Sequence, residues 1–359
     1  MLTRLILSLM VTLPMFLSGI HAEASAPVQV YAHRGASAHF PEHTLAAYAR
    51  AIADGADAIE PDLVPTREGH LVARHENEIG ATTDVAMHPE FAARRKVREI
   101  DGQRVEGWFT EDFTVAELKR LRARERLPQL RGTRWDGQFQ IVTLDEIVDF
   151  TAAMAASAGR SIGLVPELKH PAYFRNRGLA VEERLLEVLQ AHAYTRSAPV
   201  VIQSFEPGSL RYLRIRLPRG RNVELLQLLG SDDETVPGEQ PARDYRTLMT
   251  PMGLHEIALY AEVIGPNSRS LLPLDAQGRL GTSTALLGDA HAAGLKVRPY
   301  TFRPENAFLP PALRAGDDPA LRNESGSIAE IQAYLRLGID GFFTDDPAIG
   351  RRAVDTLSP

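Results

Sequence analysis

Eight short apolar runs, separated by stretches of helical periodicity, follow one another from residue 28 to the end of the chain. Few folds accept that alternation. Parallel strands need long crossover connections, and a helix is the usual one. The runs are Val28–His33, Ala58–Val64, Ile162–Leu168, Val200–Ser204, Asn222–Leu228, Glu262–Gly265, Lys296–Thr301 and Gly341–Thr344. Eight is the number that a closed TIM (β/α)8 barrel requires. A first helix is predicted at about Thr44–Ala53, where Leu45, Tyr48, Ala49 and Ile52 share a face. Another opens on the capping box Thr143-Leu-Asp-Glu146, and later ones fall near residues 178–191, 208–217, 253–260, 284–293 and 328–337. The expected architecture is one α/β domain over residues 27–359, a TIM barrel with an insertion after the second strand at about residues 76–140.

Prolines locate one end of that barrel. Pro61 follows Glu60, and Pro166 precedes Glu167. Proline cannot donate to a sheet ladder, so both strands are predicted to end there. The C-terminal rim of such barrels is where their sites lie.

Residues 1–26 stand outside the pattern. Arg4 precedes an apolar run from Leu5 to Ile20, and small residues follow at Ala22, Ala24 and Ala26. This is the layout of a secretory signal peptide cleaved between residues 22 and 26. The run is brief for a membrane span and no later one exceeds it, so no stable membrane insertion is expected. The absence of cysteine excludes thiolate nucleophiles, Fe–S clusters and cysteine zinc sites. A net charge of −6 carries no nucleic-acid signature. Locally the balance reverses: Arg94–Arg134 holds 12 Lys/Arg against 7 Asp/Glu. That stretch reads either as a positive flap over an anionic ligand or as a solvated, salt-bridged surface.

The side chains able to do chemistry sit at strand ends. Glu60 and Asp62 are two apart, so on an extended strand both leave one face. Like charges held there repel, and a hard divalent cation is the simplest remedy. Glu167 and Lys169 share a face for the same reason. Glu167 would complete a set of three oxygen donors, or it forms an ordinary ion pair with Lys169. His33 ends the first strand and is followed by Arg34 and Gly35, so an imidazole and a guanidinium can face a phosphate together. Thr66-Arg-Glu-Gly69 signals a turn, and the return strand puts Leu71, Ala73 and His75 on one face above the same rim. Two groups that exchange protons near neutral pH, beside a cation-bound anion, point to hydrolysis. The histidines at 39, 43, 70, 88, 170, 192, 255 and 291 are read as structural. No dinucleotide, P-loop, nucleophile-elbow or zinc-protease motif occurs.

In order along the chain, His33-Arg-Gly35, Pro41-Glu-His-Thr44, Glu60-Pro-Asp62, Thr66-Arg-Glu-Gly69 with His75-Glu76, Pro166-Glu-Leu-Lys169, Gln203-Ser-Phe205, Pro299-Tyr-Thr-Phe-Arg303 and Asp340-Gly-Phe-Phe-Thr-Asp345 resemble the segments of the glycerophosphodiester phosphodiesterase family. The likeness runs from about Tyr31 to Pro347 and is greatest to the exported bacterial branch, which would make the protein periplasmic. It implies a TIM barrel and a divalent cation, Ca²⁺ before Mg²⁺, held by Glu60, Asp62 and Glu167. It also implies catalysis by His33 and His75, phosphate binding by Arg34 and Lys169, and Phe205 near the substrate. Phe205 reads equally well as a core residue. His43 and Glu76 stand where the family has Asn and Asp, and both are expected outside the site proper. The implied reaction converts a small-molecule glycerophosphodiester to sn-glycerol 3-phosphate and an alcohol. The rival readings are a phospholipase D or C acting on intact lipid, which needs an apolar rim, and a non-catalytic exported protein that binds glycerophosphodiesters.

Overall fold

The computed structural model describes residues 27–239 and 241–357; the predicted leader, residues 1–26, lies outside them. Each predicted apolar run contains a strand. In chain order they are Gln29–His33, Ala58–Glu60, Gly163–Leu164, Val200–Ser204, Val223–Leu229, Val263–Pro266, Lys296–Val297 and Gly341–Thr344. Neighbours pair in parallel, and the last strand pairs with the first from Gln29↔Gly341 to Ala32↔Thr344. The seventh and eighth strands are joined where Asp340 N–H donates to Val297 O at 3.0 Å and Phe343 N–H to Pro299 O at 3.1 Å. The sheet closes as a TIM barrel.

Two layers of core follow from the pleat. Tyr31, Ala58, Val165, Val201, Leu226, Leu228, Val263 and Phe343 pack into one cluster inside the barrel. A larger cluster lies between strands and helices. Because strand side chains alternate, the inward rows continue two residues at a time toward the C-terminal rim. Tyr31 is followed by His33, Ala58 by Glu60, Val165 by Glu167, Val201 by Gln203, and Phe343 by Asp345. The rows that fill the barrel therefore become polar at one end.

The two proline-marked strands do not end as predicted. Pairing is interrupted at Pro61 and at Val165-Pro166, then resumes in Asp62–Pro65 and Glu167–Leu168, which pair in parallel with Asp62 opposite Glu167. A residue without an N–H breaks the ladder locally, and the extended chain continues beyond it. The seventh strand is also shorter than its apolar run: Lys296–Val297 gives way before Pro299 to isolated bridges at Tyr300 and Phe302.

Helix starts follow their caps. Thr44 accepts from Ala47 N–H ahead of Leu45–Ala53, and complete capping boxes start Val115–Leu118 and Leu144–Ala158. The insertion holds a hairpin that the sequence reading missed, Lys96–Ile100 against Gln103–Gly107. Its turn is Asp101-Gly102, both at positive φ, the hairpin signal that Asp-Gly supplies.

Candidate active site

The predicted residues converge on the C-terminal rim. His33, Arg34, Glu60, His75, Glu167, Lys169 and Phe205 line one cavity of about 230 Å³, joined by Gln203, Tyr300 and Arg303. Asp62 alone of the predicted set stands behind its wall, 1% exposed.

Local structure explains each placement. His33 is the last residue of its strand. Gly35, at φ +87°, turns the chain so sharply that a Cβ there would lie 2.8 Å from the Ala47 carbonyl carbon. Arg34 N–H thereby donates to Glu60 Oε2 at 2.8 Å. Asp62–Pro65 pairs antiparallel with Leu71–Ala73, and this hairpin brings His75 back over the rim.

Glu60, Asp62 and Glu167 each offer a carboxylate oxygen within 4.8 Å of the others, and all three are buried. Burial, with repulsion from Asp62 and Glu167, pushes Glu60 well above the usual carboxylate range. Burial, against the attraction of Lys169 and with repulsion from Asp62, raises Glu167 to about 8. Burial opposes ionisation of Asp62 too, but Lys169, His75 and Arg34 outweigh it and hold that carboxyl well below its ordinary value. Lys169 Nζ lies 2.6 Å from Glu167 Oε1 and 3.6 Å from Asp62 Oδ1, so the ion pair expected from sequence exists inside the cluster. Oxygen-only donors, packed more tightly than their own charges favour, fit a hard divalent cation.

The first pH prediction arises here. Glu167 binds its proton up to about pH 8 when folded, against 4.5 for the ordinary group. The folded chain then holds more protons than the unfolded one across that window, so stability falls as pH rises. Glu60 adds in the same direction. His33 and His75, lowered by burial to about 4 and 3 from 6.5, have the opposite slope, but only below 6.5. In chelator, Tm is expected to fall between pH 6.5 and 8, and saturating Ca²⁺ to raise Tm more at pH 8 than at pH 6.5. A flat Tm that ignores the cation would refute the carboxylate cluster as its seat.

Each histidine rests on a carboxylate. His33 Nδ1 lies 2.6 Å from Asp345 Oδ1. Burial opposes ionisation of Asp345, but Arg303, Arg131 and His33 keep its carboxyl well below the usual range. An ionised carboxylate only accepts, so Nδ1 carries the proton and Nε2 is the free nitrogen. His75 Nδ1 lies 2.5 Å from Glu76 Oε1 in the same way. Burial and the charges of Arg34 and Lys169 lower His75, while Asp62 and the hydrogen bond to Glu76 work against them.

His43 and Glu76 lie outside the proposed cation donors and proton carriers, and each hydrogen-bonds to one of them. Buried His43 bridges Asp62 Oδ2 at 2.9 Å and the Tyr48 hydroxyl at 3.0 Å. Glu76 orients His75 and is itself gripped by Arg126 at 2.6 and 3.0 Å.

The basic insertion is mostly a salt-bridged surface. Arg94 pairs with Glu117, Lys96 and Arg98 with Asp112, and Arg124 with Asp136. Two arginines differ. Arg131 reaches Asp345 at 2.6 Å, and Arg126 clamps Glu42 as well as Glu76. Glu42 in turn accepts from Arg34 Nη1 at 2.8 Å, so the insertion braces both Arg34 and His75. Sequence reasoning missed Asp345, Gln203 and Arg126. The first two lie on inward rows and were findable by the two-residue step, and Arg126 has no local signal. Phe205 packs against the inner cluster and lines the cavity.

Fold and rim together define a (β/α)8-barrel enzyme with an anionic, histidine-flanked centre. The chain belongs to the glycerophosphoryl diester phosphodiesterase family, whose sequence profile matches residues 33–349. A glycerophosphodiester phosphodiesterase of Arabidopsis thaliana is 36% identical over 328 residues, 88% of this chain and 82% of that protein. One of Haemophilus influenzae is 27% identical, covering 89% and 88%. Among solved structures, a Silicibacter pomeroyi protein matches the fold with a TM-score of 0.63 at 21% identity, covering 92% of this chain and 94% of that one. An Oleispira antarctica phosphodiesterase, in complex with its product sn-glycerol-3-phosphate, matches with 0.57 at 20%, covering 91% and 97%. The family and these relatives support glycerophosphodiester phosphodiesterase activity for the chain. Its relatives include plant as well as bacterial proteins, so the resemblance carries the family and not the exported bacterial branch.

Proposed function

We propose that this enzyme hydrolyses deacylated phospholipids, such as glycerophosphocholine and glycerophosphoethanolamine, to sn-glycerol 3-phosphate and the free alcohol. The observation that carries the reading is a single cavity holding two carboxylate-oriented histidines beside a buried triad of carboxylates. The product bound to the Oleispira antarctica relative supports it.

Glu60, Asp62 and Glu167 would hold one divalent cation, Ca²⁺ in the first place and Mg²⁺ as the alternative, which supplies charge stabilisation at a non-bridging phosphate oxygen. Arg34 and Lys169 line the same cavity and attract the remaining phosphate charge. With burial and nearby positive charge favouring neutral imidazoles, one histidine Nε2 is ready to take the proton from the attacking hydroxyl. The other, charged by a proton from solvent, gives that proton to the departing alkoxide oxygen, and the first returns its own to solvent. Water adds across one P–O ester bond, and the proton count is conserved.

The phospholipase reading finds little support. The large apolar side chains that are exposed, among them Met87, Ile215, Met252 and Leu259, do not line this cavity. Among the described residues no helix is long and apolar enough to cross a membrane. A substrate panel with and without added cations tests the proposal. Glycerophosphocholine is expected to yield sn-glycerol 3-phosphate and choline only with cation present, and phosphatidylcholine to remain intact. Hydrolysis of intact lipid alone would reverse the choice. Export to the periplasm, inferred from residues 1–26, is tested by the N-terminus of the protein in that fraction. It should begin within or just after residues 22–26, and an uncut chain in the cytoplasm would refute it.

A further inference from the structure

A second cavity, of about 260 Å³, adjoins the catalytic one and shares Glu167, Lys169 and Phe205 with it. Its remaining wall gathers three carboxylates, Asp101, Glu206 and Glu234, and the ring of Tyr245, which meets Phe205 edge-on at 6.2 Å. The carboxylates come from three separate places. Asp101 sits at the tip of the insertion hairpin, Glu206 immediately precedes the helix Pro207–Arg216, and Glu234 lies in the loop after Val223–Leu229.

The charges here are not balanced. Glu206 is only 5% exposed; its Oε2 accepts from Ala172 N–H at 3.0 Å, and its Oε1 has no hydrogen-bond partner. Glu234 has no basic partner among the described residues. Lys169 is committed to Glu167 and Arg175 to Glu182, and His170, 2.5 Å from Asp101, partners that carboxylate alone and leaves Glu206 and Glu234 without a basic neighbour in contact. Burial pushes Glu206 up to about 7, with Asp101 and Glu182 adding to it, as for a carboxylate that lacks a counter-charge. An electronegative recess with aromatic walls favours one kind of occupant, a small organic cation.

We propose that this recess receives the alcohol arm of the diester and selects an alkylammonium alcohol over a neutral one. The inference rests on the glycerophosphodiester reading above and narrows it. With the phosphate beside Lys169, the ester arm pointing past Phe205 enters the recess. There the ammonium group meets Asp101, Glu206 and Glu234, and its alkyl substituents lie against Phe205 and Tyr245.

The test compares kcat/KM for glycerophosphocholine, glycerophosphoethanolamine and glycerophosphoglycerol in the wild type, Glu206→Gln and the double variant Asp101→Asn/Glu234→Gln. Asp101 has φ +48°, a conformation asparagine adopts readily, so the double variant keeps the hairpin turn. The wild type is expected to favour the cationic diesters by about tenfold, and either variant to lose most of that preference through KM while hydrolysing glycerophosphoglycerol as before. A stronger effect on choline than on ethanolamine assigns the aromatic walls the larger share. Equal kcat/KM for all three diesters in every form would overturn the proposal. Choline binding by calorimetry keeps the two readings apart. If no diester is turned over, the reaction assigned above fails, and choline that binds the wild type but not the double variant still supports the recess. Choline that binds neither sinks it.

Discussion

Replacing His33 or His75 by alanine is expected to lower kcat/KM by about 10²–10⁴-fold, a loss of about 3–5 kcal/mol of transition-state stabilisation. Both side chains line the cavity, and each has one ring nitrogen committed to a carboxylate. Alanine removes the proton carrier and leaves the carboxylate behind. Asp345→Asn probes the support separately, because an amide can donate to Nδ1 and so favour the wrong tautomer. Its effect should fall on kcat, by about 10²-fold, with KM nearly unchanged. Circular dichroism and Tm of each variant separate chemistry from folding. Substantial activity in either alanine variant, in a folded protein, would end the two-histidine mechanism.

Exhaustive chelation is the second large effect: kcat/KM should drop by about 10³-fold or more, and Ca²⁺ or Mg²⁺ should restore it. The reason is electrostatic. Without a cation, burial and mutual repulsion keep protons on Glu60 and Glu167, and the pocket lacks the divalent charge that would stabilise the transition state at phosphorus. Glu167→Gln makes the same point without a chelator. It removes one ionisable donor, so cation affinity should weaken strongly, while the apoprotein, whose Glu167 already holds a proton below about pH 8, melts no earlier than the wild type there. A variant that kept full activity at the same cation concentration would remove Glu167 from the donor set. So would a chelated wild type that turned over at the normal rate.

How much of this was legible in the sequence depended on how local the signal was. Each of the eight runs contains a strand, because apolar alternation and flanking helices are properties of a few adjacent residues. The hairpin that returns His75 was readable from Thr66–Gly69, and both capping boxes from their first and fourth residues. The prolines misled in one respect. They mark the points where ladder bonds fail, but the chain stays extended past them, and Asp62 finds its register opposite Glu167 in the resumed pairing. Asp101-Gly102 carried a hairpin signal that was overlooked inside a charged stretch.

The partners of the site were beyond such reading. His33 meets Asp345 across 312 positions, and Arg126 reaches Glu42 across 84. Those meetings exist because the last strand closes against the first and the insertion folds back over the rim. The amino-acid order was enough for the barrel, its polar rim and the candidate histidines and carboxylates that gather there, since period-two alternation and motif spacing are written in neighbouring residues. Closure of the sheet and docking of the insertion chose which carboxylate orients each histidine, that His43 and Glu76 serve the site, and that a second recess opens beside it. Long-range packing sets those choices, and no short stretch of chain encodes where a distant one will come to rest.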